Sequence, residues 1–314
     1  YEQIYLSTVL NDGAILTYLK RQGIASPNKP TTINPLLKNT TSDEYAGGYL
    51  KDPVPGLYEW VIDLDFTSLY PSIIRSLNIG IETLVGRVVN RDKFDNQWSL
   101  KELKSMDPNK TVTIEKVKKD RRLSEAQISV GELIKIIEQN DFIISAPGVI
   151  FRKDKLSVVC EILSDWFDKR QEYKALMKKA YKVDNDPVMG EFYNKRQHAY
   201  KIKLNDVYGV FAINGWRYTD GHKFISKAIT LTGQRLLQES IKNMNAYLNK
   251  EMNIDKDSII TSDTDSLFIQ CSDLLLHKYP DLDLNDKDKV IPKILEIATE
   301  LQNMANKFIG EFCQ

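Results

Sequence analysis

Two short stretches place carboxylates at spacings that could do chemistry. In "SIITSDTDSLFIQ", Ser258 to Gln270, two β-rich runs meet at Asp263-Thr264-Asp265-Ser266, a hairpin signal with two acids at its tip. In "WVIDLDFTSLYPSIIRS", Trp60, Ile62, Leu64 and Phe66 alternate with Val61, Asp63, Asp65 and Thr67. This predicts a short strand that is apolar on one face and acidic on the other. The strand stops at Asp65. Ser68 to Ser72 then turns the chain into a predicted helix, with Pro71 in its first turn and Ile73, Ile74 and Leu77 as its apolar stripe. If the two strands are neighbours, Asp65 lies beside Asp265. Carboxylates crowded in this way are costly unless cations neutralise them, and hard Mg²⁺ is the usual answer where phosphates also bind. Two such ions, about 4 Å apart, can activate a hydroxyl nucleophile and stabilise a leaving oxygen. That is the chemistry of phosphoryl or nucleotidyl transfer. Each stretch alone has a plainer reading as a solvent-facing strand end or a turn in which Asp is common.

A basic region complements the acids. Between Lys169 and Lys203 there are ten Lys or Arg residues and four Asp or Glu, an excess of +6 in a chain of zero net charge. The segment reads as two helices, from about Lys153 to Ala180 and from about Glu191 to Tyr208, joined by "VDNDPVMG". Arg170, Lys174 and Lys178 fall at i, i+4 and i+8, and Lys201, Asn205 and Tyr208 share a face of the second helix. Facing stripes of this kind grip a polyphosphate, with Arg170 bidentate and the lysines as point charges. Either helix alone is also what an ordinary wet basic face looks like.

The elements that must position these residues read as those of a globular α+β protein. The chain has 314 residues, 42% hydrophobic and 27% charged, with no apolar run of membrane-spanning length and no targeting signal, so a soluble intracellular protein is expected. Position 1 is not Met, which suggests a fragment or a processed chain. A helix is predicted over Asp12–Gln22, then a Pro/Thr/Asn-rich loop from Ser26 to Pro35. A polar stretch from about Val85 to Asn140 has mixed signals and reads as an insertion, "FAINGWRYTDG" as a short strand or turn, and a helix is predicted from about Phe224 to Met252. Cys160, Cys271 and Cys313 are odd in number and far apart, against a disulfide framework or zinc site. His198, His222 and His277 lack metal-ligand spacing. "DLDLNDKDKVIP" fails as a Ca²⁺ loop, having Asp286 where Gly and Pro292 where Glu is needed. No GxxxxGK[ST] loop is present.

In order along the chain, "DFTSLYPSII" (Asp65 to Ile74), "KIKLNDVYG" (Lys201 to Gly209) and "SDTDS" (Ser262 to Ser266) resemble motifs A, B and C of the family B DNA polymerases. "RQEYK", Arg170 to Lys174, is similar to the basic fingers motif, and "GGY", Gly47 to Tyr49, to the element between the exonuclease and polymerase modules. The cast of Asp52 to Ile79 resembles the T-even-type bacteriophage members.

The resemblance implies an antiparallel palm with packed helices, a helical-hairpin fingers subdomain, and template-directed DNA synthesis from dNTPs on primer-template DNA. It implies two Mg²⁺ ions, with Mn²⁺ as substitute, on Asp65, Asp265 and the Phe66 backbone, with Asp263 ligating less directly. Ser68, Leu69 and Tyr70 match the turn that holds the triphosphate, and Tyr70 also matches the steric gate against a ribose 2′-hydroxyl. Arg170, Lys174, Lys201 and Asn205 match residues that grip the nucleotide, and Tyr208 and Gly209 those lining the nascent base pair. Its division of the chain is 1–50 as connector after an exonuclease module, 51–84 as first palm segment, 85–150 as insertion or palm periphery, 151–208 as fingers and 209–314 as second palm segment, the thumb being absent. Further partners implied are exonuclease and thumb modules and a sliding clamp, without a membrane, in the cytoplasm of an infected bacterium. Asp206 stands where the family usually has Ser, and Thr261-Ser262 where it often has Tyr-Gly. The competing readings are a non-catalytic DNA-binding or assembly fragment of a split polymerase, and a glycosyltransferase using an Asp-x-Asp pair.

Overall fold

A computed structural model describes residues 7–26, 28, 47–89, 98–118, 123–213, 216–220 and 223–312. Most of the Ser26–Pro35 loop, Tyr45, His222 and Cys313 lie outside them. The chain begins with α1 (Ser7–Gln22), β1 (Leu50–Lys51), β2 (Val61–Asp65) and α2 (Leu69–Ser76). Next come β3 (Leu84–Val89), α3 (Leu100–Ser105), β4 (Thr111–Val117), β5 (Leu123–Ser129), α4 (Val130–Gln139), β6 (Phe142–Ile144) and β7 (Val149–Arg152). Two long helices, α5 (Val158–Lys182) and α6 (Pro187–Phe211), precede α7 (Phe224–Met252). The remainder is β8 (Ile259–Asp263), β9 (Ser266–Gln270), α8 (Ser272–Lys278) and α9 (Lys287–Phe312). These fall into two compact units, residues 1–45 with 70–232, and 46–69 with 233–314.

The first unit holds an antiparallel sheet of order β5-β4-β3-β7-β6. Val88, Val112, Ile114 and Ile150 of the sheet pack with Trp98, Leu103, Val130, Leu133 and Ile137 into one core. The polar stretch from Val85 to Asn140 therefore supplies most of a sheet. Its core residues, Val88 of β3 and Val112 and Ile114 of β4, alternate with more exposed neighbours, and β5 buries no side chain fully, so the composition is polar although the stretch forms strands. Also in this unit, α5 and α6 form a hairpin. Residue pairs descend on one helix as they climb on the other: Tyr181 against Gly190, Tyr173 against Tyr200 at 5.9 Å, and Lys203 over the Trp166 ring at 5.6 Å. A Cβ at Gly190 would come within 2.6 Å of the Tyr181 ring, so glycine lets the two helices close.

Caps set the ends of this hairpin. Ser157 accepts from the Cys160 amide at 3.2 Å, so α5 starts at Val158, five residues later than its apolar pattern suggests. Asp186 accepts from the Val188 and Met189 amides, and Pro187 occupies the first turn, so α6 starts earlier than Glu191. Asn185, at φ +49°, turns the link between them.

In the second unit the sheet order is β1-β8-β9-β2, all antiparallel. Ile62, Ile259, Leu267 and Ile269 pack with Leu237, Met244 and Leu248 of α7, Leu274 and Leu275 of α8, and Val290, Ile297 and Leu301 of α9. Core burial thus falls on one face of β2, leaving Val61, Asp63 and Asp65 exposed, as the alternation predicts. Among the described residues no helix is long and apolar enough to cross a membrane. Cys160 and Cys271 are buried free thiols, pushed up to about 12 by burial, and are inert. The Asp281–Pro292 segment is loop only as far as Asp286, where Asp283 accepts from the Asn285 amide; Lys287 to Pro292 form the first turns of α9, and Asp286 pairs with Lys289 at 2.8 Å.

Candidate active site

The acidic site is built from strand register. Asp65 pairs across β2–β9 with Ser266, and Asp263 pairs across β8–β9 with the same serine, so three strands end together. Thr264 and Asp265 form the two-residue tip, with Thr264 at φ +52°. Backbone bonds hold that tip on both sides: the Phe66 amide donates to the Asp265 carbonyl at 2.7 Å and the Thr264 amide to the Tyr49 carbonyl at 3.0 Å. A Cβ at Gly48 would lie 2.4 Å from Thr264 Oγ1 and 2.9 Å from its Cγ2. Only glycine fits there, which gives "GGY" a physical reason. Gln234 Nε2 donates to the Gly47 carbonyl at 2.5 Å and fixes the approach. The departures at 261 and 262 are also accounted for. Ser262 Oγ accepts from the Lys51 amide at 3.1 Å and Thr261 Oγ1 donates to the Lys51 carbonyl at 2.8 Å, so both hydroxyls stitch the two-residue edge strand β1 to β8.

Electrostatics at this tip is that of crowded acids. The Asp265 carboxyl is raised above the ordinary carboxylate range, first by burial, then by Asp65, Asp263 and Asp63. Asp63 is raised by burial and by Asp65. Asp63 is a fourth carboxylate that the sequence reading placed on this face but did not single out; its signal is the two-residue spacing from Asp65. Among the described residues, no three His, Cys, Asp or Glu side chains converge tightly enough to hold a metal ion as they stand. The donor set is nonetheless all oxygen and mutually repelling, which fits hard Mg²⁺.

Beyond Asp65 the chain passes through Ser68 at φ +55° and enters α2 at the buried Leu69 and the half-buried Tyr70. The first-turn amides of a helix favour anions.

In the other unit, the α5–α6 hairpin brings cations together. Lys174 is pushed down, first by burial and then by Arg170, Lys178 and Lys201, so the stripes of the two helices meet in space. Arg170 is 8% exposed and also pushed down by burial. Lys178, Lys201 and Asn205 are exposed. The remaining charge is largely ordinary surface: Lys169 pairs with Asp165 at 2.8 Å, Lys179 with Asp184 at 2.8 Å, Lys195 with Glu191 at 3.7 Å, and Arg196 lies over Phe192. Near the C-terminal end of α6, the Tyr208 ring stacks on Tyr70 with centroids 4.1 Å apart. Gly209 is exposed, and a Cβ there would meet nothing within 4 Å. His198, on α6, and His277, on α8, are exposed, and neither belongs to a group of metal-ligating side chains among the described residues.

An α+β chain with an acidic antiparallel hairpin and a basic helical hairpin is the architecture that a family match supports. The model of DNA polymerase family B matches residues 5–282. The DNA-directed DNA polymerase of Escherichia phage RB69 is 26% identical over an alignment covering 100% of this chain and 36% of that protein. The DNA polymerase of Red sea bream iridovirus is 28% identical over 72% of this chain and 24% of its own length, and that of Enterobacteria phage T4 is 26% identical over 74% and 27%. The chain belongs to DNA polymerase family B. It spans about a third or less of the length of these relatives.

Proposed function

We propose that this chain carries the nucleotidyl-transfer core of a template-directed DNA polymerase, its second unit acting as palm and its α5–α6 hairpin as fingers. The observation that supports this best is the raised Asp265 carboxyl, crowded by Asp65 and Asp263 at a tip locked by Phe66, Tyr49 and Gly48. Negative charge crowded at the ends of three strands favours divalent cations, whose binding would draw the carboxylates together. Asp65, Asp265 and the Phe66 carbonyl would hold two Mg²⁺ or Mn²⁺ ions, with Asp263 beside them. When bound, these ions supply activation of the primer 3′-hydroxyl and stabilisation of the leaving pyrophosphate.

The chain's own groups do the rest. Arg170, Lys174 and Lys201 bind the triphosphate oxygens, which offsets the burial and the mutual repulsion that push Lys174 down. Asn205 adds an exposed amide on the Lys201 face. The amides of Ser68, Leu69 and Tyr70 take the triphosphate at the start of α2. The Tyr70 ring fills the space of a ribose 2′-hydroxyl, while Tyr208 and Gly209 line the nascent base pair. The substrates are dNTPs and primer-template DNA, and the setting is replication of a viral genome in an infected bacterium, with exonuclease, thumb and clamp functions supplied by further modules.

Single-nucleotide primer extension with the chain in excess, Mg²⁺ or Mn²⁺ present, and dNTP beside NTP tests this reading. Incorporation of dNTP, abolished in Asp265→Ala, is the expected result. Incorporation that survives Asp265→Ala would sink the two-metal assignment. No incorporation by a chain that still binds primer-template would favour the non-catalytic fragment.

A further inference from the structure

We infer that Thr230 is a positioning residue that sets sugar selectivity, holding the Tyr70 gate through Tyr208; this rests on the gate role proposed above for Tyr70. Thr230 lies on α7, is fully buried, and is surrounded along its helix by the buried Ile225, Ser226, Ala228 and Ile229. A hydroxyl has one proton and can accept twice. Thr230 Oγ1 gives its proton to the Ser226 carbonyl one turn back, at 3.1 Å. The 2.9 Å contact between Thr230 Oγ1 and Tyr208 Oη joins two hydroxyls, either of which can donate; with the Thr230 proton on the Ser226 carbonyl, the Tyr208 phenol donates and Thr230 accepts.

This bond does to the Tyr208 ring what packing alone does not. The stack on Tyr70, at 4.1 Å and 21° between planes, restrains tilt of the ring but allows the faces to slide. Anchoring the phenol oxygen to a buried acceptor on a helix stops the slide. Tyr70 then rests against a fixed wall, and its ring keeps one position relative to the start of α2. The order of control is Thr230 to Tyr208 to Tyr70. Threonine also fits the site by shape, so Thr230→Val keeps the volume and deletes the acceptor, whereas Thr230→Ser keeps the acceptor.

Two readouts on the same proteins test the inference. In the free chain, the Tyr208 face at 4.1 Å is expected to shift the Tyr70 ring protons in NMR spectra. Thr230→Val is expected to collapse that shift and Thr230→Ser to retain it; a shift unchanged in Thr230→Val overturns the inference without any assay of synthesis. In single-nucleotide extension, Thr230→Val is expected to lower the dNTP-over-NTP preference about three- to tenfold, the factor carried by one hydrogen bond, through a lower KM for the ribonucleotide. Thr230→Ser restores it. The double variant Thr230→Val with Tyr208→Phe is expected to lose no more than either single change, since both remove one bond; additive losses overturn the inference. Tyr70→Ala separates the two layers. If it abolishes sugar discrimination while Thr230→Val leaves it intact, the gate stands and Thr230 is only packing. If Tyr70→Ala itself changes nothing, the gate reading falls.

Discussion

The acidic hairpin of one unit and the basic hairpin of the other both concentrate like charge, and they do so by opposite means. At the tip of β8 and β9, carboxylates from positions nearly 200 apart in sequence meet because the register sets Asp65 and Asp263 against the same Ser266. On α5, Arg170, Lys174 and Lys178 meet because 3.6 residues make a turn, and only Lys201 comes from another helix. The responses mirror one another: Asp63 and Asp265 are pushed up, Arg170 and Lys174 down. Each region thus disfavours its own charged form until a ligand of opposite sign arrives. The strand tip is held by backbone bonds from Phe66 and Thr264 and offers only oxygen donors, suited to small hard cations. The helical hairpin is long, with exposed Lys178 and Lys201 beside buried Arg170, suited to a larger anion.

The comparison is broken most strongly on the basic side. Arg170→Ala is expected to raise the dNTP KM about ten- to a hundredfold, the cost of losing a charge-assisted bidentate contact, while Arg170→Lys recovers only part because a point charge replaces a fork. Steady-state extension kinetics measure this, and an unchanged KM removes Arg170 from nucleotide binding.

On the acidic side, rigidity is the sharper target. Gly48→Ala drives a methyl into Thr264 and is expected to cost about 1–3 kcal/mol, lowering the Tm by a few degrees. Adding Thr264→Ala removes the two closest atoms, Oγ1 and Cγ2, leaving Cβ at 3.0 Å, and is expected to restore most of it. Thermal unfolding of the single and double variants decides; no rescue means that Gly48 matters for another reason.

The smallest expected effect concerns charge alone. The carboxyl of Asp63 is raised in the folded chain, so its ionised form opposes folding above that raised value, and the opposition vanishes below the ordinary carboxylate range. Asp63→Asn is therefore expected to raise the metal-free Tm by about 1–2 °C near neutral pH, and the gain is expected to disappear as the pH falls toward about 4. A gain that persists in acid would show that packing, not charge, is responsible.

How much was legible in the sequence follows from the same contrast. Local periodicity exposed the α5 stripe, the apolar face of β2 and the carboxylates at the hairpin tip, since each needs only a few neighbouring residues. The order of the motifs, including "RQEYK" and "SDTDS", was enough for the family. What stayed hidden depends on close approach between distant segments. Gly48 under Thr264, the Ser262 and Thr261 hydroxyls on Lys51, and the Thr230–Tyr208 bond are all contacts that no pattern of spacing encodes. The helix starts moved for a related reason, because Ser157 and Asp186 cap by side-chain geometry whereas apolar pattern shows only where burial begins. The sheet within Val85 to Asn140 was obscured by its polar outer face.

The central claim is that the acidic tip is a seat for divalent cations, and Mn²⁺ titration followed by electron paramagnetic resonance tests it without requiring turnover. The chain is expected to remove Mn²⁺ from the free signal, Asp65→Ala and Asp265→Ala to abolish that uptake, and Arg170→Ala to retain it. Equal Mn²⁺ uptake by the wild type and both aspartate variants would contradict the account.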